Sequence, residues 1–287
     1  MYLKLDPSLK DALPLSKDSE RFDWFLRTQG IPHREVKNRL TYEIRLGGLH
    51  FFVKRHLACG WKEVFKEWYR LRKPVVSART EWEGAEILDA AGLRVPRVLG
   101  KGERGNYPNG IESFVVLEAL EDCETLEFFR TGWLGVEGTR WVALKRAIIA
   151  EVASMCRKLH ACGINHRDLY INHFLISRKQ ITHWQSGQLL ELHLIDLHRV
   201  QKRKIVPNRW LEKDIGSLLF SALNAGLTST DYIRFLRVYL GAHWRDELTN
   251  DQSRWRNILN RSLRMYRGFH QKAPTLPKLL RSILIDE

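Results

Sequence analysis

Apolar and polar residues alternate early in the chain. Between residues 35 and 46, apolar side chains recur every two or four positions, as is typical of a strand with one buried face. Gly47 and Gly48 follow and suit a tight turn, and residues 49–54 provide a returning apolar run. The pattern predicts an antiparallel hairpin or meander at the start of the fold.

Helical spacing becomes frequent after the meander and dominates the second half. A helix over residues 78–91 is expected to end at Gly92, and strands are expected over 95–99 and 113–118. The clearest helix covers residues 139–162, with Gly163 as its C-cap. Its stripe has spacings of three and four and consists of Trp141, Leu144, Ile148, Val152, Met155 and Leu159. Later, short strand-length runs at 174–176 and 190–195 precede helical patterns from residue 210 onward.

This order of elements predicts an α+β fold with an antiparallel β-rich first part and a mainly helical second part. The two parts are expected to form lobes with a cleft between them. The predicted divisions are an N-terminal arm at 1–30, an N-lobe at 31–122 and a C-lobe at 123–287.

Residues 61–73 have helical spacing and combine aromatic with basic side chains. Two interpretations stay open. The segment packs into the core as an insertion, or it meets anionic lipid headgroups or an acidic partner through Trp61, Trp68 and Tyr69.

Charge distinguishes this chain from an average domain. The 47 Lys and Arg exceed the 33 Asp and Glu by 14, and the excess is concentrated in residues 34–73 and 254–281. Such fields attract nucleic acid, anionic lipid, phosphorylated sugar or acidic protein.

The sequence contains no run of 18 apolar residues, so no membrane-spanning helix is predicted, and the first residues lack a secretory h-region. Four scattered cysteines without a CxxC pair fit a reducing compartment and argue against a disulfide framework or zinc ribbon.

The densest polar segment follows the best helix and reads His-Arg-Asp-Leu-Tyr-Ile-Asn-His over residues 166–173. A second acid, Asp196, occurs in Ile-Asp-Leu-His-Arg over 195–199. Two carboxylates at loop–strand junctions can together hold a divalent cation and accept a proton from a hydroxyl. In a strongly basic chain, this combination points to nucleotide phosphate chemistry.

The segment from Leu159 through His-Arg-Asp-Leu to Phe174-Leu-Ile resembles the protein-kinase catalytic loop and its preceding helix. More narrowly, His-Arg-Asp…Tyr-Ile…His-Phe-Leu, Ile-Asp-Leu-His-Arg and Arg-Trp…Lys-Asp over 209–214 resemble the lipopolysaccharide core heptose kinases (WaaP/RfaP type). The resemblance extends from about residue 51 to 239. It implies a protein-kinase-like two-lobed fold, ATP and Mg²⁺ as cofactors, and transfer to a heptose hydroxyl of the lipopolysaccharide inner core.

The resemblance implies a role for each matching residue. Lys54 matches the strand lysine that holds the α- and β-phosphates of ATP, and Glu81 is chosen as its helix partner, with Glu83 and Glu86 as alternatives. Glu118, at the end of a predicted strand, is counted with the candidate nucleotide-binding residues.

In the second half, Asp168 matches the catalytic base and Asp196 the magnesium ligand. Arg167 is expected to be structural. Asp214 matches the buried aspartate that binds the catalytic-loop backbone, with a simple N-cap as the open alternative. Acceptor contacts are expected from the basic C-terminal half, including Arg199, Lys202, Arg203 and Arg209.

Three features depart from the protein-kinase pattern. His173 occupies the usual position of the second metal ligand, asparagine, so His173, Asn172 or a water is left to complete the site. Asp-Leu-His replaces Asp-Phe-Gly, which predicts a constitutively assembled site. No GxGxxG occurs over residues 34–50, so phosphate cover is expected from backbone amides of an atypical loop.

The resemblance also implies partners and a location. The expected partners are the lipid A–core substrate, an anionic membrane surface and an acidic carrier protein, with no nucleic acid. The expected location is cytoplasmic, peripheral at the inner face of the Gram-negative inner membrane. Two alternatives remain: a kinase-fold enzyme with a protein or small-molecule acceptor, and a basic pseudokinase or binding module. The five histidines over 160–198 match no zinc spacing and are expected to be structural.

Overall fold

The chain forms two compact units, each with its own sheet and apolar core. The computed structural model describes residues 1–36, 38–61, 69, 77–127 and 138–285 of the 287. The first unit comprises Met1–Glu86 and Pro96–Leu120, and the second comprises Ile87–Val95 and Glu121–Glu287. Within the basic aromatic segment 61–73, Trp61 and Tyr69 are described and exposed, while the rest of that prediction, Trp68 included, lies outside the described residues.

A six-stranded antiparallel sheet organises the first unit. In spatial order its strands are β1 (Tyr2–Leu5), β5 (Val98–Arg104), β6 (Glu112–Glu118), β4 (Leu49–His56), β3 (Arg39–Leu46) and β2 (Ile31–Val36). The predicted hairpin is confirmed: β3 pairs with β4 across Gly47 and Gly48, which both have positive φ, at 56° and 77°. Only glycine adopts two such conformations in succession without strain, which accounts for the pair in this turn.

The first 30 residues are part of this unit, which corrects the expectation of a separate arm. β1 pairs with β5, and helices α1 (Pro7–Ala12) and α2 (Asp18–Arg27) follow it. Phe22 and Phe25 of α2 are buried, with ring centroids 5.3 and 4.5 Å from that of Phe114 on β6. Burial of the two aromatic rings removes apolar area from water and stabilises the attachment of this segment by an amount on the order of several kcal/mol.

Strand β4 separates its two faces by simple alternation. Phe51 and Val53 are buried in the main core, so Lys54 projects from the opposite face. Its cross-strand neighbour there is Val115, which packs with Trp82 of helix α3 (Arg79–Ala90). The sequence periodicity therefore directs the lysine toward α3.

Helices make up most of the second unit, which confirms the predicted α+β class. They are α4 (Gly138–Ala161), α5 (Arg178–His183), α6 (Asn208–Ala222), α7 (Ser229–Leu240), α8 (Trp244–Asn250), α9 (Gln252–His270) and α10 (Lys278–Ile285). Two small sheets accompany them, with strand orders β10-β9-β7 and β11-β8. These strands are β7 (Cys123–Thr125), β8 (Ile164–Asn165), β9 (Phe174–Ser177), β10 (Leu192–Leu194) and β11 (Gln201–Lys202).

Helix α4 confirms the prediction for residues 139–162 to within one residue at each end. Gly163 follows it with φ 72°, and a Cβ there would lie 2.0 Å from the carbonyl oxygen of Arg203. Glycine is therefore required both for the left-handed conformation and for the close approach of the chain at β11. This approach fixes β8 and the polar segment that begins at His166.

None of the described helices is both long and apolar enough to cross a lipid bilayer.

Candidate active site

The first unit contains the predicted strand lysine and its acidic partner. Nζ of Lys54 donates to Oε1 of Glu81, in the first turn of α3, over 2.5 Å. The Glu81 side chain is 8% exposed and the Lys54 side chain 26%, so the buried carboxylate fixes an ammonium group that still reaches solvent. The two alternative acids have other positions: Glu83 is half exposed near Arg79, and Glu86 pairs with Lys101.

Glu118 lies at the C-terminal end of β6. Its carboxylate is 3.4 Å from Nε of Arg97, and its N–H donates to the Arg97 carbonyl oxygen over 2.9 Å.

Asn38 lies between β2 and β3, a connection without glycine, and its side-chain amide donates to the carbonyl oxygen of Ala58 over 3.1 Å. That turn is attached to the chain after β4 by a side chain.

A buried carboxylate organises the polar loop of the second unit. Asp214, which is fully buried in α6, accepts the N–H groups of His166 and Arg167 over 2.7 and 2.6 Å. Arg167 has φ 75°, a conformation that costs a non-glycine residue about 1 kcal/mol or more and persists only where neighbours impose it. Of the two roles left open for Asp214, the structure shows the buried acceptor and not an N-cap.

Asp168 follows directly, with its carboxylate 15% exposed. Nη1 of Arg199 donates to both carboxylate oxygens at 2.9 Å, and Nζ of Lys213 is 4.0 Å from Oδ1. Burial, followed by the nearby charge of Arg199, lowers the pKa of Lys213. One carboxylate is thus held by two cations from distant parts of the sequence.

His173 connects Asp168 to the second predicted acid. Its Nδ1 is 2.7 Å from the carbonyl oxygen of Asp168, which can only accept, so Nδ1 carries the proton. Nε2 lies 3.6 Å from Oδ2 of Asp196. Nδ1 of His198 lies 2.7 Å from Oδ1 of the same carboxylate. Asn172 is exposed, in the 3-10 turn Ile171–His173.

Asp196 has φ 62° and, like Arg167, adopts a left-handed conformation that is unusual for a non-glycine residue. Its neighbour in the chain, Ile195, accepts from His166: Nε2 of that imidazole donates to the Ile195 carbonyl oxygen over 3.1 Å. Burial lowers the pKa of His166, so the ring is neutral at pH 7 and serves as a spacer between the two segments.

Comparison with known proteins shows the family. The model of the lipopolysaccharide kinase (Kdo/WaaP) family matches residues 23–239. The chain belongs to this family. The resemblance read from the motifs is thereby confirmed, and with it the assignment as a kinase, a phosphotransferase that acts on a sugar hydroxyl.

Relatives within the family are similar over most of their length. The lipopolysaccharide core heptose(I) kinase WaaP of Pseudomonas aeruginosa is 39% identical over 223 residues, 78% of this chain and 81% of that protein. WaaP of Escherichia coli K12 is 37% identical over 253 residues, 88% of this chain and 92% of that protein. A solved structure of WaaP in complex with acyl carrier protein superimposes with a TM-score of 0.75 at 33% identity, covering 93% of this chain and all of that one.

Within this Kdo/WaaP kinase, four of the five clustered histidines contact other protein groups. His160 binds Tyr239 and lies 3.4 Å from Asp214, and His166, His173 and His198 make the contacts given above. Their roles in holding loops agree with the structural interpretation of these side chains.

Sequence reasoning missed three contacts around Asp168 and Asp196. It predicted Arg199 only as an acceptor contact and gave no role to His198 or Lys213. The Ile-Asp-Leu-His-Arg run contains both His198 and Arg199, and in the structure His198 contacts the carboxylate of Asp196 while Arg199 contacts that of Asp168. The Arg-Trp…Lys-Asp motif over 209–214 contains Lys213, but its contact with Asp168 depends on the packing of α6.

Proposed function

We propose that this kinase uses ATP to phosphorylate a heptose hydroxyl of the lipopolysaccharide inner core. Its curated relatives are named lipopolysaccharide core heptose(I) kinases. The observation that carries the proposal is the bridge in the second unit: His173 binds the main chain of Asp168 and presents Nε2 toward Asp196. The bridge supports the proposed roles of Asp168 as proton acceptor and Asp196 as metal ligand, since phosphoryl transfer requires the two to be held in fixed positions.

Asp168 is the proposed base. Its carboxylate orients the acceptor hydroxyl and accepts the proton late in transfer, while Arg199 fixes the carboxylate orientation. The hydroxyl oxygen forms a bond to the γ-phosphorus as the bond from that phosphorus to the bridging oxygen breaks. ADP departs with the bonding electron pair, and Asp168 later releases the proton to water.

Lys54 is the proposed contact to the α- and β-phosphates of ATP. Glu81 acts through it, because a buried carboxylate at 2.5 Å restricts the ammonium to one position. Glu118 stays a predicted nucleotide contact. Since its side chain already pairs with Arg97, we assign the contact to its main-chain carbonyl.

Asp196 and His173 are proposed to hold Mg²⁺, and the donor set fits a divalent cation. Asp196 offers carboxylate oxygens, and the proton on Nδ1 of His173 leaves Nε2 able to ligate. Asn172 is exposed, so we assign it a role through water. When bound, the ion neutralises charge on the transferring phosphate.

Phosphate transfer to defined acceptors tests the proposal. Purified chain, ATP and Mg²⁺ are incubated with heptose-containing core oligosaccharide, and the product is located by ³¹P NMR and mass spectrometry. We expect phosphate on a heptose. Phosphate on a protein or an antibiotic, with none on the oligosaccharide, would favour the alternative acceptors. Failure to bind Mg-ATP in calorimetry would favour a basic binding module.

We further propose an acidic carrier protein as a partner. A relative has been solved with acyl carrier protein, and helix α9 of this chain offers Arg261, Arg264 and Arg267 beside one groove. Opposite charges across such a surface accelerate and orient association. Co-elution with an acidic carrier protein at low salt tests this. Elution of R264E/R267E in the same complex would contradict it.

We also propose a peripheral position at the inner face of the inner membrane, which the same charge and the lipid-anchored acceptor support. Flotation with vesicles containing anionic lipid, compared with vesicles of zwitterionic lipid alone, tests this. We expect the chain to float with the anionic vesicles at low salt and to stay behind with the zwitterionic ones.

A further inference from the structure

Four cationic side chains surround one indole ring on α6. The Cζ atoms of Arg167, Arg209 and Arg203 are 4.7, 5.2 and 5.7 Å from the ring centroid of Trp210, and Nζ of Lys213 is 5.7 Å from it. We call these five residues the Trp210 cluster. An aromatic face stabilises one cation by about 1 kcal/mol, which does not explain why four gather there.

The cluster carries more positive charge than its neighbours balance. In the described ranges, Asp168 is the sole carboxylate within 4 Å of any cluster cation, through Lys213 at 4.0 Å. The guanidinium of Arg203 instead meets neutral oxygens, those of Asn165 and Gln201. Burial and the nearby Arg199 lower the pKa values of both Arg167 and Lys213. The folded chain thus keeps like charges together at a cost.

Two donors in the cluster have no acceptor among the described residues. The indole Nε1 of Trp210 and Nε of Arg167 are both buried without a hydrogen-bond partner there. Native proteins rarely leave such groups unpaired unless a ligand, ion or water completes them. Excess positive charge together with unpaired donors indicates an oxyanion.

The cluster adjoins the proposed base. Nζ of Lys213, a cluster member, lies 4.0 Å from Oδ1 of Asp168. In phosphoryl transfer, the base marks the acceptor side of the reaction and the metal marks the nucleotide side.

We infer that the Trp210 cluster binds an oxyanion carried by the acceptor, a carboxylate or a phosphate on the sugar chain, next to the hydroxyl that Asp168 serves. This inference rests on the proposed function. It assigns different roles to the four acceptor contacts that the sequence predicted. Arg203 and Arg209 belong to the cluster, and Arg199 holds the proposed base. Lys202 is exposed on β11 and is not part of the cluster.

Arg209→Gln tests the inference, because Arg209 is exposed and does not contact Asp168. A hydrogen bond to a charged group contributes enough that its loss raises the acceptor KM about tenfold, with the KM for ATP unchanged. The matched control is Arg245→Gln: Arg245 also stacks on an indole, that of Trp244 at 4.5 Å, and its loss should leave both KM values unchanged. Arg209→Lys should restore much of the affinity.

Modified acceptors identify the anion. Wild-type protein is compared with R209Q on intact core oligosaccharide, on oligosaccharide with esterified carboxylates and on dephosphorylated oligosaccharide. The modification that removes the bound oxyanion should abolish the difference between the two proteins. An undiminished difference on both neutralised acceptors, or a raised KM for ATP alone, would overturn the inference. If wild-type protein phosphorylates no core acceptor at all, the proposed function fails instead.

Discussion

Each unit holds one side chain of proposed function in an ion pair, and the charges of the two pairs are reversed. In the first unit the carboxylate of Glu81 holds the ammonium of Lys54, which is proposed to contact ATP. In the second, the guanidinium of Arg199 holds the carboxylate of Asp168, which is proposed to be the base. The first pair joins a strand to a helix, whereas the second joins two loops.

The supports also differ in burial. Glu81 is 8% exposed, so its pair is rigid and protected from solvent screening, while Arg199 is 40% exposed. Exposed pairs contribute little energy and exchange easily. If Asp168 is the base, as proposed, an acceptor hydroxyl competes with Arg199 for its oxygens, and the exposure of Arg199 allows that exchange. The proposal therefore predicts a rigid ion pair at the nucleotide contact and an exchangeable one at the acceptor contact.

The largest expected effect on the transfer rate follows removal of the acting carboxylate. Asp168→Asn should lower kcat about 10³-fold, because the amide cannot accept the hydroxyl proton, while Mg-ATP binding measured by calorimetry stays close to wild type. Asp246→Asn, an exposed carboxylate on α8, is the matched control and should retain full activity. Full activity of D168N would remove the base from the proposal.

A smaller loss should follow removal of the acting cation. Lys54→Met should lower kcat/KM for ATP about 10²-fold through lost phosphate stabilisation. Lys101→Met is the control: Lys101 also rises from the sheet and also pairs with a glutamate of α3, Glu86. K101M should lower the melting temperature and spare the rate in the protein that stays folded. Equal rate losses in the two variants would reduce the Lys54–Glu81 pair to a structural one.

The two supports separate the pairs further. Glu81→Gln removes a buried charge next to an ammonium group and should lower kcat/KM for ATP about tenfold. Arg199→Gln removes an exposed partner and should lower kcat about threefold. Steady-state kinetics with each substrate varied in turn distinguishes the two. A greater loss of activity in R199Q than in E81Q would mean that the exposed Arg199–Asp168 pair matters more than the buried Lys54–Glu81 pair, against the prediction.

The first pair could be predicted from the sequence because both partners lie on regular elements. Periodicity placed Lys54 on a strand and Glu81 on a helix, and the family resemblance chose the two as partners, with Glu83 and Glu86 as alternatives. The hairpin turn and α4 were predicted from periodicity alone.

The second pair and the N-terminal segment depend on contacts that periodicity does not encode. Arg199 reaches Asp168 from 31 residues away in the sequence, through a loop whose path is set by the pairing of β8 with β11. Strand β1 pairs with β5 about a hundred residues later, and four residues are too few to show a period. Such contacts arise from tertiary packing and override local signals.

A third ion pair, in the second unit, should affect stability and leave the rate unchanged. Oδ2 of Asp231, on α7, accepts from Nζ of Lys145 over 2.8 Å and from the N–H and hydroxyl of Thr228, and its side chain is 4% exposed. Burial alone would raise the pKa of Asp231, but the hydrogen bonds from Lys145 and Thr228 outweigh it and lower the pKa below its usual value. The ionised carboxylate therefore stabilises the fold above about pH 4, and the contribution is lost as the pH falls through the lowered pKa.

Asp231→Asn leaves the Lys145 ammonium buried without its counter-charge and should cost about 2 kcal/mol at pH 7. Urea unfolding at several pH values measures this, and the difference from wild type should shrink on acidification, since the wild-type carboxylate then protonates. Glu20→Gln in the exposed Lys17–Glu20 pair, at 3.8 Å, is the control and should cost less than about 0.5 kcal/mol. If D231N slowed transfer as much as E81Q, loss of any buried ion pair would lower the rate. The effect of E81Q could then not be attributed to the contact between Glu81 and Lys54.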